Sequence, residues 1–294
     1  MNIILFDDIP KVISFTDPIG RHLKKVLKAE AGDCFKAGLV NGPRGELCIE
    51  AVEPEGYRVA WRESGPPVGL YPLTMLVGFV RPISVKRILR EAASLGVERL
   101  VFAVTDSGER SYREANLWKT GEYRQYLING LQTAGGTVLP EVVLCGGLRE
   151  ALEALKAAEA ASGAAGSGGA SAAVVAPAGG AARCTKGVDG ADSAESAESA
   201  DSAPRPVPVR LVLDNVSAGR PLASIDLTQR GSAGTAGSRR AVLAVGSERG
   251  WSERERGLFK TAGFESVSLG SRVLRTETAC STGAALVLAR MGLL

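Results

Sequence analysis

The first part of the chain consists of short apolar runs separated by turn-forming residues. Residues 34–40 and 47–52 are two such runs, bounded by Gly, Pro and Asn, and this pattern is typical of β-strands joined by turns. Residues 19–29 have helical spacing instead, and the Gly-Pro-Pro sequence at 65–67 is typical of a linker. We therefore predict a small β-rich domain over residues 1–69.

From Leu73 onward, strand and helix patterns alternate. Residues 73–80 form a continuous apolar run, as in a strand buried on both faces, and residues 83–95 have apolar positions at helical spacing. The alternation predicts further strands at 99–105, 141–144, 209–213, 241–245 and 264–269, and helices at 114–133, 148–161, 253–262 and 278–291. Strands that alternate with helices predict an α/β domain with a mainly parallel sheet over residues 70–294.

A low-complexity segment of Ala, Gly, Ser, Asp and Glu interrupts this order at about 160–206. Few of these side chains could bury enough surface to offset the entropy that is lost when a chain is ordered. We interpret the segment as a flexible insertion inside the second domain, in which only residues 172–176 could form a short strand. A second polar, glycine-rich loop is predicted over about 217–240.

The composition is that of a globular protein, because 45% of the 294 residues are hydrophobic and 23% are charged. No apolar run approaches the roughly 18 residues of a membrane span, and the N-terminus lacks the pattern of a signal peptide. We therefore expect a cytoplasmic protein with no membrane partner. The net charge of +3 neither requires nor excludes a nucleic-acid partner.

The five cysteines are scattered and form no Cys-x-x-Cys pair, so reduced thiols are expected rather than disulfides or a zinc site. His22 is the only histidine, and a Ser-His-Asp triad would have to use it. A histidine-rich metal centre cannot be built from this sequence, and we expect no bound metal. His22 itself is more typical of a structural residue than of a catalytic one.

A glycine-bearing turn at 246–251 (Gly-Ser-Glu-Arg-Gly-Trp) lies between a predicted strand and a predicted helix. Such a turn lets the backbone approach a ligand closely, and amides at a helix N-terminus can bind negative or electron-rich groups. An ordinary tight turn explains the same residues. The turn matches neither the dinucleotide-binding fingerprint nor a P-loop. Ser252 and Glu255 match a capping box at the start of the following helix.

A second glycine turn, Leu269-Gly270, is followed by four polar side chains at 275–278 (Arg-Thr-Glu-Thr), between a predicted strand and an apolar helix. A helix N-cap would account for Thr276 or Thr278. It would account for neither the arginine nor the glutamate, although either of these could simply be solvated.

The two turns together resemble the C-terminal signature of the RsmE family, which are SPOUT-class methyltransferases acting on 16S ribosomal RNA. The resemblance is carried by Gly-x-Glu-x-Gly-Trp-Ser-x-x-Glu at 246–255 and by Leu-Gly-x-Arg-Val-Leu-Arg-Thr-Glu-Thr-Ala at 269–279. Stretches at 22–28, 91–97, 109–111 and 140–142, together with Gln132, also follow the family order. The resemblance covers nearly the whole chain apart from the insertion.

This resemblance implies a SPOUT-like α/β knot domain, preceded by a small PUA-like β-barrel, and a homodimer. It implies S-adenosyl-L-methionine as the cofactor and 16S ribosomal RNA, free or in the small ribosomal subunit, as the partner. The implied reaction is methylation at N3 of a uridine. The alternatives are a SPOUT-type enzyme that modifies a different nucleotide of ribosomal or transfer RNA, and an inactive RNA-binding homologue.

The resemblance also implies the site residues. Arg275 would stabilise the negative charge on the uracil oxygens, and Glu277 would act as the base or orient Arg275. The family's usual Gly-Pro-Glu-Gly-Gly is Gly-Ser-Glu-Arg-Gly at 246–250, so that Arg249 must point away from the cofactor or reshape the loop. The cofactor would contact mostly backbone, at Leu213, Val245, Gly246, Ser247, Glu248, Gly250, Leu269, Gly270, Val273, Leu274 and Thr276.

RNA contact has separate support in the helical segment at 19–29. Four basic residues have i, i+3, i+4, i+7 spacing and would share one helix face, with Leu23, Val26 and Leu27 on the other. In a chain of unknown function, this pattern favours a helix with its basic face in solvent and its apolar face in the core. In an RNA enzyme, the same basic face is better interpreted as a surface that positions phosphates. The candidate RNA contacts are Arg21, Lys24, Lys25, Lys28 and Arg110, with Arg81, Lys86, Arg87 and Arg90 as an extension.

Overall fold

The computed structural model describes residues 2–161, 208–227 and 240–294, which form two β-sheets with helices around the larger one. The smaller sheet has the strand order β1-β3-β4-β5-β2, and all neighbours are antiparallel except β1 and β3. Its strands are β1 (Ile4–Phe6), β2 (Val12–Ser14), β3 (Cys34–Leu39), β4 (Arg44–Glu53) and β5 (Gly56–Gly65). The strands predicted at 34–40 and 47–52 are confirmed as β3 and β4.

The larger sheet has seven strands in the order β10-β12-β9-β11-β6-β7-β8, and every neighbouring pair is parallel. The prediction of an α/β fold with a mainly parallel sheet is therefore confirmed. The strands are β6 (Tyr71–Gly78), β7 (Val97–Ala103), β8 (Glu141–Cys145), β9 (Val209–Leu213), β10 (Arg220–Pro221), β11 (Ala241–Val245) and β12 (Glu265–Ser268).

Helices cover both faces of the larger sheet. These helices are α2 (Pro82–Ser94), α3 (Asn116–Lys119), α4 (Tyr123–Ala134), α5 (Leu148–Ala161), α6 (Glu253–Thr261) and α7 (Thr276–Arg290), whereas α1 (Pro18–His22) lies beside the smaller sheet. Residues of α2, α4 and α7 share one core with Leu243 of the central strand β11. Residues of α5 and α6 share the opposite core with Val242 and Ala244. Because successive strand residues point to opposite faces, a continuously apolar strand such as β11 serves both cores.

None of the helices in the described ranges is long and apolar enough to cross a lipid bilayer.

The N-terminal strand β1 joins the two sheets. Ile4 packs into the core of the small sheet, whereas Ile3 and Leu5 pack into the core of the larger one. Backbone hydrogen bonds reinforce this contact, since the amide of Asn2 donates to the carbonyl of Gln132 at 2.8 Å and the amide of Asn41 to that of Thr137 at 2.8 Å. The two sheets are thus held together by shared core packing as well as by the chain.

The helix predicted at 114–133 is interrupted in the structure. A 3₁₀ turn at Arg110–Glu114 is followed by the short helix α3, and α4 begins only at Tyr123. Gly121 separates the two helices with a φ of 74°, a left-handed conformation that ends a helix. The expected strand at 172–176 and most of the predicted insertion lie outside the described residues.

The helical segment predicted near residues 19–29 is confirmed, but only its first part is an α-helix. Helix α1 ends at His22 and continues as one π-helical turn, Leu23–Leu27, which Lys28 closes in a left-handed conformation at φ 50°. Leu23 is buried, but Val26 and Leu27 are 63% and 49% exposed. The wider π turn changes which side chains share a face, so the expected apolar stripe does not form.

The expectation of reduced cysteines is wrong for one pair, because Cys34 and Cys48 form a disulfide. The two residues lie directly opposite each other on the antiparallel strands β3 and β4. The Cβ atoms of directly opposed residues on such strands lie about 5 Å apart. The positions of the cysteines in the sequence do not reveal that these two are opposed. Cys145 and Cys280 are free and buried. Glu46 lies beside the disulfide, and among the described residues these three side chains are the one close group of candidate metal ligands, but the bonded sulfurs offer no thiolate to a metal ion.

From the disulfide we predict how many free thiols the protein has and how its stability changes on reduction. In denaturant, the protein should show two fewer free thiols before reduction than after, as measured with a thiol reagent. Reduction should lower the free energy of unfolding by up to about 3 kcal/mol, since the bond closes a short loop. The double variant Cys34→Ala/Cys48→Ala is the control, and its stability should not respond to reductant. An equal thiol count before and after reduction would contradict the pairing.

Candidate active site

A cavity of about 690 Å³ opens at the carboxyl ends of three parallel strands. The last residues of β9 and β11, Leu213 and Val245, form part of its wall, and so does Leu269, which follows β12. The N-terminus of α7 closes one side through Thr276. Ligands of open α/β sheets bind outside the carboxyl ends of the strands, so the position is typical of a binding site.

The cavity brings together nearly all the residues predicted from the sequence to contact a cofactor. Ten of those eleven residues line it, and Gly270 alone does not. Both predicted catalytic residues, Arg275 and Glu277, line it as well. The two glycine turns, which are separated by a helix and a strand in the sequence, therefore lie on the walls of one cavity.

The first glycine turn is a tight turn that requires its two glycines. The amide of Gly250 donates to the carbonyl of Ser247 at 2.9 Å, and Gly250 has a φ of 67°, in the left-handed region. A Cβ on Gly246 would lie 2.9 Å from the Cα of Gly250, closer than side chains pack. The turn therefore presents backbone rather than side-chain atoms at this part of the wall.

Neighbouring strand ends hold this turn in place. The hydroxyl of Thr105 donates to Ser247 Oγ at 3.1 Å, and the amide of Arg81 donates to Glu248 Oε1 at 3.1 Å. Gly78, at the end of β6, lets the turn approach, because a Cβ there would lie 2.6 Å from the Ser247 nitrogen. Glu248 was predicted to contact the cofactor, and one of its oxygens is used to hold the turn.

Glu255 fixes the start of α6 and the loop after β7 together. It has no exposed surface, and the predicted capping box with Ser252 is confirmed. Its Oε2 accepts from the Ser252 amide at 2.8 Å, and its Oε1 accepts from the Asp106 amide at 2.9 Å. The guanidinium of Arg254 and the hydroxyl of Ser252 bond the Asp106 carboxylate, and these hydrogen bonds lower its pKa.

Asp214 is a cavity residue that the sequence reasoning missed. It is buried directly after β9 and receives two hydrogen bonds from Arg256, with Nε at 2.6 Å and Nη2 at 3.2 Å. Burial would raise its pKa, but the bonds from Arg256, from Ser217 and from the Val216 amide outweigh burial and lower the pKa to about 2. Its position at the carboxyl end of a predicted strand was the available signal. Nothing in the sequence indicated Arg256, because its contact with Asp214 depends on how α6 packs.

The polar residues 275–278 form the N-cap and the first turn of α7. The N-cap is Arg275, and its side chain makes no capping hydrogen bond, so the alternative explanation of Thr276 or Thr278 as a helix N-cap does not hold. Thr276 is buried and Arg275 is exposed. The Glu277 side chain is only 12% exposed and lies 3.5 Å from the guanidinium of Arg87 on α2. The ion-pair partner of Glu277 is thus Arg87, a residue that was predicted to contact RNA.

Of the other predicted RNA contacts, Arg81 lines the cavity, whereas the five candidates named first lie away from it. Arg21, Lys24, Lys25, Lys28 and Arg110 are all exposed, and none of them lines the cavity. Lys24 lies over the ring of Phe15, with Nζ 3.7 Å from the centroid. Lys86 is paired with Glu122 at 2.8 Å, so that it is less free to bind phosphate than the sequence suggested.

A model of the family described as RNA methyltransferase domain matches residues 69–176 and 198–288 of the chain. The chain is also 35% identical over 296 residues to ribosomal RNA small subunit methyltransferase E of Treponema pallidum (strain Nichols), an alignment covering 98% of this chain and 91% of that protein. The chain belongs to the RsmE family. The family resemblance inferred from the two glycine turns is therefore confirmed.

One further relative agrees with membership of the RsmE family, and a solved structure shares the fold. Ribosomal RNA small subunit methyltransferase E 1 of Borreliella burgdorferi is 25% identical over 95% of this chain and 94% of its own length. The crystal structure of a ribosomal RNA small subunit methyltransferase E from Neisseria gonorrhoeae, bound to S-adenosyl methionine, superposes with a TM-score of 0.62 at 18% identity. That comparison covers 98% of this chain and 97% of the other, and it shows a shared fold.

The Asp214–Arg256 pair predicts a pH-dependent loss of stability. Because its pKa of about 2 lies below the ordinary value of 3.8, Asp214 stabilises the fold above about pH 4, and this contribution is lost as the pH falls through 2. Asp214→Asn should lower the free energy of unfolding by about 2 kcal/mol near neutral pH, with the difference from the wild type shrinking below pH 4. Chemical denaturation at several pH values measures this.

The control is Glu265→Gln, which breaks an ion pair with Arg220 that is about half exposed. Exposed pairs contribute roughly 1 kcal/mol or less, so this variant should lose little stability. A loss for Asp214→Asn that does not change with pH would contradict the assigned pKa.

Proposed function

We propose that this protein transfers a methyl group from S-adenosyl-L-methionine to N3 of a uridine in the 16S RNA of the small ribosomal subunit. The single observation that carries the proposal is the convergence of both glycine turns with Arg275 and Glu277 on one cavity. Membership of the RsmE family supports the reaction class. The uridine and its N3 atom come from the sequence resemblance.

The cavity fits a cofactor of this kind. Its volume of about 690 Å³ lies within the range of small-molecule sites. Two apolar side chains on its wall, Val216 and Val273, are 78% and 81% exposed, and a bound adenosine or methionine group would cover them. When bound, the cofactor supplies a methyl group on a positively charged sulfur, which the acceptor nitrogen displaces in line.

Backbone atoms would provide most of the cofactor contacts. The turn at 246–250, together with Leu269 and residues 272–274, presents amides and carbonyls that would suit the hydrogen-bonding edges of an adenine ring and the ribose hydroxyls. Trp251 helps to fix this wall, because its indole N–H donates to the carbonyl of Leu213 at 3.1 Å. These contacts would bind and orient the donor.

Arg275 and Glu277 would act on the acceptor. The N3 atom of uracil carries a proton and becomes nucleophilic only when that proton is lost. Loss of the proton spreads negative charge onto the ring oxygens. The exposed guanidinium of Arg275 is free to donate to those oxygens, and the Glu277 carboxylate is the candidate base that takes the proton. Its ion pair with Arg87 keeps this carboxylate at the edge of the cavity nearest α2.

We also propose the remaining family features as expectations for this chain. They are a PUA-like character of residues 1–69, a knotted C-terminal segment in residues 70–294, a homodimer, a cytoplasmic location, and RNA contacts by Arg21, Lys24, Lys25, Lys28 and Arg110. The exposure of all five basic side chains supports the last of these.

Cofactor binding is tested by calorimetric titration with S-adenosyl-L-methionine. The wild type should bind, and Gly250→Ala should bind at least tenfold more weakly, because a side chain at its positive φ costs roughly 1–2 kcal/mol and moves the turn. The matched control is Gly263→Ala, at φ 76° beyond the end of α6 and outside the cavity wall. Its affinity should equal that of the wild type. Absence of binding by a folded wild type would remove the proposal.

Methyl transfer is tested on small ribosomal subunits from cells that lack the gene. The wild type should form 3-methyluridine in the 16S RNA, detected by mass spectrometry of nucleosides. Arg275→Ala should bind the cofactor with unchanged affinity and lose about 10²-fold or more in turnover. Arg149→Ala, at an exposed arginine of α5, is the control and should keep full activity. A methyl group found on another nucleotide would keep the reaction class and reject the uridine N3 target.

A further inference from the structure

The rim of the cavity carries a group of four arginines. Arg81, Arg249, Arg272 and Arg275 line it and are exposed. No side-chain hydrogen bond or ion pair engages their guanidinium groups within the described part of the chain. Arg256, the fifth arginine of the wall, differs, because it is held by Asp214. The rim therefore offers several free guanidinium groups close together.

The charge of the wall is not balanced. Five arginines face three carboxylates, those of Asp214, Glu248 and Glu277. Two of the three are already engaged by cations, Asp214 by Arg256 and Glu277 by Arg87, and Arg87 lies outside the cavity wall. The remaining carboxylate cannot neutralise four guanidinium groups, so the rim keeps an excess of positive charge.

The proposed cofactor would not neutralise the excess positive charge of the rim. S-adenosyl-L-methionine carries a positive sulfur and a positive ammonium group against one carboxylate, so that its net charge is positive. A cationic rim repels such a molecule, whereas it attracts a polyanion. Guanidinium groups bind phosphate through two parallel hydrogen bonds, which suits an RNA backbone.

Arg249 is placed to make such a contact. It lies within a turn in which the two preceding residues are fixed, Ser247 by the hydroxyl of Thr105 and Glu248 by the amide of Arg81. The turn itself is closed by the hydrogen bond from Gly250 to Ser247. The side chain therefore extends from a rigid base, so that little backbone order has to be gained when it binds.

We propose that Arg249, with Arg81 and Arg272, binds the phosphates that flank the target nucleotide. This inference rests on the proposed function, because it takes the acceptor to be RNA. The rim arginines then have two different roles, since Arg275 acts on the base and the other three hold the backbone beside it. These contacts are additional to the basic residues of the small sheet.

The test measures binding to small ribosomal subunits from cells that lack the gene, with fluorescently labelled protein at several salt concentrations. Arg249→Gln should weaken binding about tenfold at moderate salt. It should also reduce the slope of log Kd against log salt by about 0.7, the value for one lost phosphate contact on single-stranded RNA. Arg272→Gln should behave in the same way. The calorimetric affinity for S-adenosyl-L-methionine should stay unchanged in both variants.

The matched control is Arg149→Gln, which removes the same charge from an exposed arginine that follows β8, the edge strand farthest from β10. It should leave both the affinity and the salt slope as in the wild type. The inference is overturned if Arg249→Gln keeps the wild-type slope, or if it weakens cofactor binding instead of subunit binding.

The same measurements separate this inference from the proposed function. A wild type that methylates subunits while Arg249→Gln shows an unchanged salt slope rejects the phosphate contact alone. A wild type that binds no cofactor and transfers no methyl group rejects the proposed function, whatever the slopes show. Turnover of Arg249→Gln at saturating subunit concentration gives a further distinction, because a residue that only binds backbone should raise KM and leave kcat nearly unchanged.

Discussion

The candidate site depends on one buried carboxylate. Both oxygens of Glu255 accept hydrogen bonds from backbone amides, one from Ser252 at 2.8 Å and one from Asp106 at 2.9 Å. A carboxylate without exposed surface is stable only when its oxygens are hydrogen-bonded, so these two contacts are strongly favoured. They fix the loop after β7 to the start of α6. The glycine turn between β11 and α6 is held by the same arrangement, since Thr105 of that loop also donates to Ser247.

This fixed frame lets the cavity present two different kinds of surface. The glycine turns offer backbone atoms, because Gly246 and Gly250 leave no side chain in the way. The start of α7 and the rim offer charged side chains instead, among them Arg275 and Glu277. Backbone amides and carbonyls suit a donor that carries net positive charge, whereas guanidinium groups suit an anionic acceptor. The proposed methyl transfer uses both surfaces at their boundary.

The electrostatics of the wall follow from which carboxylates are already engaged. Asp214 is bound by Arg256, Ser217 and the Val216 amide, which lower its pKa to about 2 in spite of its burial. It therefore stays charged at any physiological pH and cancels the charge of Arg256. The rim arginines have no such partner among the residues described, and this difference is what assigns them to an external anion rather than to the fold.

The sequence by itself determined the elements that depend on local pattern. The buried strands at 209–213 and 241–245, the helix at 148–161 and the capping box at Ser252 are as predicted, because apolar runs, helical spacing and capping residues act over short distances. The family was also predicted, since the two glycine turns carry its signature, and ten of the eleven residues predicted to contact the cofactor line the cavity. Only the tertiary structure decided which distant groups meet. The Cys34–Cys48 bond, the Asp214–Arg256 pair and the Glu277–Arg87 contact join residues between 14 and 190 positions apart. The π turn after α1 likewise depends on packing, because no local periodicity distinguishes it from an α-helix.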